Sequence, residues 1–126
     1  MKKILVIDDS PMIRHLVRSS IKSQECECDE AENGREAFHK IEHEKYDLII
    51  TDVNMPVLSG LELLGEIRTK LPEVKTPILI LTSEAELQSV KIAKGYGVAA
   101  WIVKPFTTDI LIKTVSRLLN GNSNEK

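Results

Sequence analysis

Three runs of the chain, "KILVID" near its start, "YDLIITD" in its middle and "PILILT" further on, are rich in Ile, Leu and Val and lack strict polar/apolar alternation. A strand with one wet face alternates. A run that stays apolar belongs to a strand covered on both sides, the environment of a parallel sheet with helices above and below it. "AAWIV" adds another apolar strand, and "ECECDEA" a more polar one suited to a sheet edge. Stretches of helical length separate these runs, so strand and helix alternate five times. That pattern predicts an α/β domain whose parallel strands are joined by right-handed helical crossovers.

The helices announce themselves at their starts. Ser10 and Pro11 suit the cap and first position of a helix whose apolar face is read as Met12, Ile13, Leu16, Val17 and Ile21. Ser59 with Glu62 and Ser83 with Glu86 have capping-box spacing, and Asn33 with Glu36 is a near match. The faces expected to be buried are Ala37, Phe38 and Ile41; Leu61, Leu64 and Ile67; Leu87 and Val90; and, in a last helix after Thr108, Leu111, Val115, Leu118 and Leu119. A length of 126 residues, 42% of them hydrophobic, fits one domain with one core. The domain is expected to occupy 1–119, followed by a polar tail over 120–126.

Charge and cysteine usage narrow the partners. A net charge of -2 leaves no overall basic field, so neither nucleic acid nor an anionic membrane is an expected partner. The first apolar run stops at two carboxylates, far short of a signal core or a membrane span, and a cytoplasmic location is expected. Cys26 and Cys28 fall on one face of a strand, about 6.5 Å apart. Without two further ligands they read as apolar packing and not as a metal site. His39 and His43 stand four apart on one helix face but lie among Lys40 and Glu42, which reads as solvated surface; His15 is given no role either. Lys91, Lys94 and Arg117 are read as solubilising charge, and Met55 and Pro56 as loop shape.

Chemistry gathers at the strand ends. In an open parallel sheet, ligands bind beyond the carboxyl ends of the strands, and those ends here carry Asp8 and Asp9, then Asp52, then Thr82, then Lys104. Clustered carboxylates repel one another unless a cation joins them, and Mg²⁺ suits a site of few carboxylates and several waters. Capping alone accounts less well for Asp8 and Asp9, because Ser10 already caps the helix that follows. A lysine and a threonine hydroxyl suit the oxygens of a phosphoryl group, and a carboxylate is a competent nucleophile toward phosphorus. Asp52, ahead of the turn-rich "VNMPVLSG", is the natural acceptor.

With "VIDDS", "TDVNMPVLSGLELL", "LILTSEAE" and "WIVKPF" in this order, residues 3 to about 119 resemble the receiver domain of two-component response regulators, most closely the single-domain chemotaxis (CheY-like) type. The resemblance implies a doubly wound, flavodoxin-like sheet of five parallel strands in the order 2-1-3-4-5, helices on both faces; that order is not read from the residues. It implies Asp52 as phosphoacceptor, Asp9, Asp52 and the backbone carbonyl of Asn54 as direct Mg²⁺ ligands, and Asp8 as a ligand through water. Lys104 would hold the phosphoryl oxygens, Thr82 would turn toward them, and Pro105 would follow a cis bond. Asn54 and Glu84 would tune hydrolysis of the aspartyl phosphate, toward a short-lived signal. Trp101 stands where the family has a smaller switching aromatic ring, and its indole N–H needs a partner. Ser59 stands where the family often has Asp.

The function expected is a monomeric, stand-alone response regulator, a signalling switch and not an enzyme acting on other substrates. It would take a phosphoryl group from a histidine kinase or histidine phosphotransfer protein. It would then bind a target, such as a flagellar motor component, through the fourth helix, fifth strand and fifth helix. A phosphorelay intermediate and a receiver from a longer transcriptional regulator are the alternatives. An aspartate-nucleophile phosphohydrolase of the haloacid dehalogenase type wants a second Asp where Asn54 stands, and a flavin site wants a phosphate-cradling loop where "IDDSPMIR" would repel one.

Overall fold

The apolar runs pair as one parallel sheet. The computed structural model describes residues 1–93, 95 and 97–121. Along the chain come β1 (Lys2–Ile7), α1 (Pro11–Ser20), β2 (Cys26–Ala31), α2 (Gly34–His43), β3 (Leu48–Asp52), α3 (Gly60–Lys70), β4 (Ile78–Thr82), α4 (Leu87–Ala93), β5 (Ala100–Val103) and α5 (Thr108–Leu119). The strand order is β2-β1-β3-β4-β5, every neighbouring pair parallel. The polar strand "CECDEA" takes an edge, where one face and one side need no cover.

Successive side chains of each strand serve opposite faces, which divides the core in two. Leu5, Ile7, Ile49, Ile78 and Ile80 pack with Ala37, Phe38 and Ile41 of α2, Leu63, Leu64 and Ile67 of α3 and Val90 of α4. Ile4, Val6, Leu48, Ile50, Leu79, Leu81 and Ile102 pack with Val17 and Ile21 at α1 and Leu111, Val115 and Leu118 of α5. Every residue of β3 and β4 is buried, as the unbroken apolar runs require. Each fully buried Ile or Leu stabilises the fold by about 1.5–3 kcal/mol relative to exposure.

Several local readings need correction. Met12 and Leu16 point outward, 79% and 44% exposed, and the covered stripe of α1 is Val17, Ser20 and Ile21 with Ile13 half-buried. Two adjacent stripes of α1 are apolar, and the sheet covers only one. In α3, Leu63 is buried and Leu61 only half-buried; in α4, Leu87 is half-buried. The last helix is capped by Thr107, whose hydroxyl accepts from Ile110 N, so Thr108 is its first residue. Ser83 caps a 3-10 turn, Glu84–Glu86, that leads into α4.

The expected helix starts otherwise stand. Ser10 accepts from Ile13 N, and Ser59 with Glu62 forms a complete capping box. Asn33 accepts from Glu36 N, but the Glu36 carboxylate reaches Glu32 N instead of the cap, the half-match its sequence suggested. Cys26 and Cys28 are free thiols half-buried against the α1/α5 side of the core. Among the described residues no helix is long and apolar enough to cross a membrane. Lys94 and tail residues 122–126 lie outside the described residues.

Candidate functional site

Parallel pairing aligns the carboxyl ends of β1, β3, β4 and β5, and the four polar signals of the sequence meet there. Asp8 continues β1, its amide donating to Ala31 O of β2 at 3.1 Å. One oxygen of its carboxyl accepts from Ser10 N at 2.9 Å, while Oδ2 is buried with no hydrogen-bond partner. An orphaned buried carboxylate oxygen is costly unless something shares it. Asp9, the next residue, is exposed. Asp52 ends β3 and is 7% exposed. Carboxylate oxygens of Asp8, Asp9 and Asp52 all lie within 4.8 Å of one another, the one such acidic, Cys or His group among the described residues. His39 and His43 join no such group; the His43 Nδ1 pairs with the His39 carbonyl at 2.9 Å.

The electrostatics follow from this crowding. Burial pushes the Asp8 carboxyl up to about 6; the Ser10 amide pulls it back, and the Asp52 and Asp9 carboxylates add to the rise. A divalent cation would reverse that balance. The donor set, three hard carboxylate oxygens with one open buried position, fits Mg²⁺. Lys104, just beyond β5, enters from the other side and donates from Nζ to Asp52 Oδ1 at 3.1 Å, the same oxygen that accepts from Val53 N at 2.8 Å. The Lys104 amide is fixed on Thr82 O at 2.7 Å, and the Lys104–Pro105 bond is cis.

Thr82 ends β4, fully buried, with its hydroxyl donating to Ser83 O at 3.3 Å. Glu84 follows, exposed, in the 3-10 turn. Asn54 begins the loop after Asp52 and Val53, its side chain exposed. Trp101 stands outside the crevice: it lies half-buried on β5, opposite Ile80, and packs on the α2/α3/α4 side of the core.

Two features were not read from the sequence. The loop 53–59 is held by close backbone approach. Gly34 N donates to Leu58 O and Gly60 N to Val53 O, and a Cβ on Gly60 would fall 2.2 Å from Asp52 O. Within that loop Val57 has φ of 72°, spanned by a Leu58 N to Pro56 O bond, a γ-turn that a β-branched residue rarely adopts. The second is Arg14, whose guanidinium donates to the Asp8 carbonyl at 2.6 Å. Its only sequence signal was a basic residue one turn past the Ser10 cap.

This arrangement can bind a divalent cation and present one carboxylate, flanked by an ammonium and a hydroxyl, to a phosphoryl group. The chain is 39% identical over 121 residues to the transcriptional regulatory protein ResD of Bacillus subtilis, covering 96% of this chain and 49% of that protein. It is 32% identical to the regulatory protein AtoC of Escherichia coli, covering 98% and 26%. The chain therefore spans about half or less of these curated relatives. Among solved structures, chemotaxis response regulator CheY4 of Vibrio cholerae superposes with a TM-score of 0.84 at 39% identity, covering 94% of this chain and 98% of that one. The Francisella response regulator 1452 receiver domain gives 0.85 at 29%, covering 95% and 98%. Receiver domains bind Mg²⁺ in general and act as signalling switches between histidine kinases and downstream effectors. Residues 4–116 match the response regulator receiver domain family, and the chain belongs to it.

Proposed function

We propose that the crevice accepts a phosphoryl group on Asp52 in a Mg²⁺-dependent reaction and that the resulting aspartyl phosphate switches a binding surface. The observation that carries this reading is the convergence on Asp52: Lys104 Nζ is 3.1 Å from its Oδ1, and two further carboxylates lie within 4.8 Å. Asp8, Asp9, Asp52 and the Asn54 carbonyl would hold the ion. When bound, it would neutralise charge on the phosphoryl oxygens. The Asp52 carboxylate attacks phosphorus as the bond to a phosphohistidine nitrogen of the donor breaks. Lys104 then exchanges its carboxylate contact for a phosphoryl oxygen, and Thr82 leaves Ser83 O to donate to another. Asn54 and Glu84, both exposed beside the crevice, would set the lifetime of the adduct. The exposed amide at Asn54, where a phosphohydrolase needs its acid and base, supports a switch over an enzyme.

The domain is taken as 1–119, acting as a cytoplasmic monomer. Its donor is a histidine kinase or histidine phosphotransfer protein, and its target docks on α4, β5 and α5. The 39% identity to the chemotaxis response regulator CheY4 supports a chemotaxis regulator, with a flagellar motor component as target. The greater length of ResD and AtoC favours a second reading, the receiver of a longer regulator. The test is the intact mass of the native protein and of Asp52→Asn after acetyl phosphate treatment, with and without Mg²⁺, quenched in acid. One phosphoryl adduct that needs both Asp52 and Mg²⁺ is expected. No adduct on the native protein, from acetyl phosphate or from a phosphorylated histidine donor, refutes the chemistry.

A further inference from the structure

We propose that Arg14, locked by Glu30, is a positioning residue for the cation site: it sets the peptide between Asp8 and Asp9, and through it the direction of the Asp9 carboxylate. This rests on the reading of the crevice as a Mg²⁺ site. Arg14 Nη1 donates to Asp8 O at 2.6 Å while its Nε donates to Glu30 Oε1 on β2 at 2.6 Å. The guanidinium is thus stretched between the metal-binding loop and the sheet edge, with its side chain only 15% exposed. Glu30 is itself gripped from a second side, because Arg18, one turn along α1, donates to its Oε2. Arg14 foremost, with Arg18, holds the Glu30 carboxyl below its ordinary range, as a carboxylate shared by two guanidinium groups should be.

Asp9 is the residue that needs this support. Asp8 has its own anchors, the Ser10 amide and burial, and Asp52 has Val53 N and Lys104. The Asp9 side chain is exposed, and no hydrogen bond reaches its carboxylate among the described residues. A side chain without partners points where its backbone sends it. The backbone of Asp9 begins at the peptide whose oxygen Arg14 holds, so the site's wettest ligand is aimed by a contact made to the main chain. Outer contacts of this kind, which orient a ligand without touching the metal, govern affinity.

Charge and position predict opposite signs, which makes the inference decidable. Arg14 is a cation seated on the main-chain carbonyl of one of the three clustered aspartates. If it acted only through its charge, removing it would tighten cation binding; if it aims Asp9, removing it weakens binding. The measurement is Mn²⁺ binding to the full chain, followed by the paramagnetic resonance of free Mn²⁺, for native protein, Arg14→Ala and Arg14→Lys. Thermal melts establish that each is folded at the titration temperature. We expect the dissociation constant to rise about tenfold in Arg14→Ala. Arg14→Lys should show a smaller rise, because an ammonium keeps the charge but cannot span both acceptors. Phosphorylation of Arg14→Ala by acetyl phosphate should recover at high Mg²⁺. Native-like or tighter Mn²⁺ binding in folded Arg14→Ala overturns the proposal. Should that variant not fold, native-like binding by Arg14→Lys does so. A native protein that binds no Mn²⁺ refutes the metal site itself, and this inference with it, and is told apart because the failure is then not confined to the variants.

Discussion

The Asp8 carboxyl places one oxygen on the Ser10 amide and buries the other without a partner, and its pKa rises from 3.8 to about 6. Between those values the folded chain carries a proton that the unfolded chain has released. Stability from this group therefore increases as pH falls through the window and is lost as pH rises through it. For metal-free protein, Asp8→Asn should raise stability at pH 7.5 by on the order of 2 kcal/mol. The gain, followed by thermal melts across pH, should vanish near pH 4. Protons compete with the ion for the same oxygen, so Mg²⁺ binding should weaken below about pH 6. Thr82 is the complementary case at this scale: a buried hydroxyl whose one acceptor is the neighbouring Ser83 carbonyl, a contact given up at little loss for a phosphoryl oxygen.

At the scale of elements, two comparisons separate what packing requires from what it tolerates. Gly60 opens α3 directly against β3, where a Cβ would meet the Asp52 carbonyl at 2.2 Å, whereas Gly65, mid-helix, has nothing within 4 Å of an added Cβ. Gly60→Ala should destabilise by at least about 2 kcal/mol, because main chain would have to move. Gly65→Ala should stabilise by about 0.5–1 kcal/mol through helix propensity. Urea unfolding of the two variants checks both signs. In α1, Met12→Ser and Leu16→Gln should each change stability by less than about 0.5 kcal/mol. Val17→Ala should cost about 2 kcal/mol, since Val17 is fully buried against the sheet. Equal losses at Met12 and Val17 would mean that the outer stripe of α1 is covered in solution.

For the whole molecule, the question is how an event at Asp52 reaches a surface. Thr82 and Ile80 lie on one face of β4, and Trp101 stands opposite Ile80 and packs on that same side. A turn of Thr82 toward Asp52 would leave space on the side of the sheet where the indole packs, and two packings of one surface are the means by which a local charge is reported at a distance. Acetyl phosphate with Mg²⁺ should therefore shift Trp101 emission in native protein, leave Asp52→Asn unchanged and give a reduced shift in Thr82→Ala. No shift in fully phosphorylated native protein would mean that Trp101 is fixed. The sequence by itself determined the layered parallel fold and the set Asp8, Asp9, Asp52, Thr82 and Lys104, because unbroken apolar runs and the polar residues that end them are local signals. Only the tertiary structure decided which stripe of α1 is covered, that Leu63 and not Leu61 is buried, that Val57 sits in a left-handed turn, and that Arg14 braces the Asp8 carbonyl. Each of these depends on which element lies across from the residue, and spacing along one chain segment carries no record of the surface it will meet.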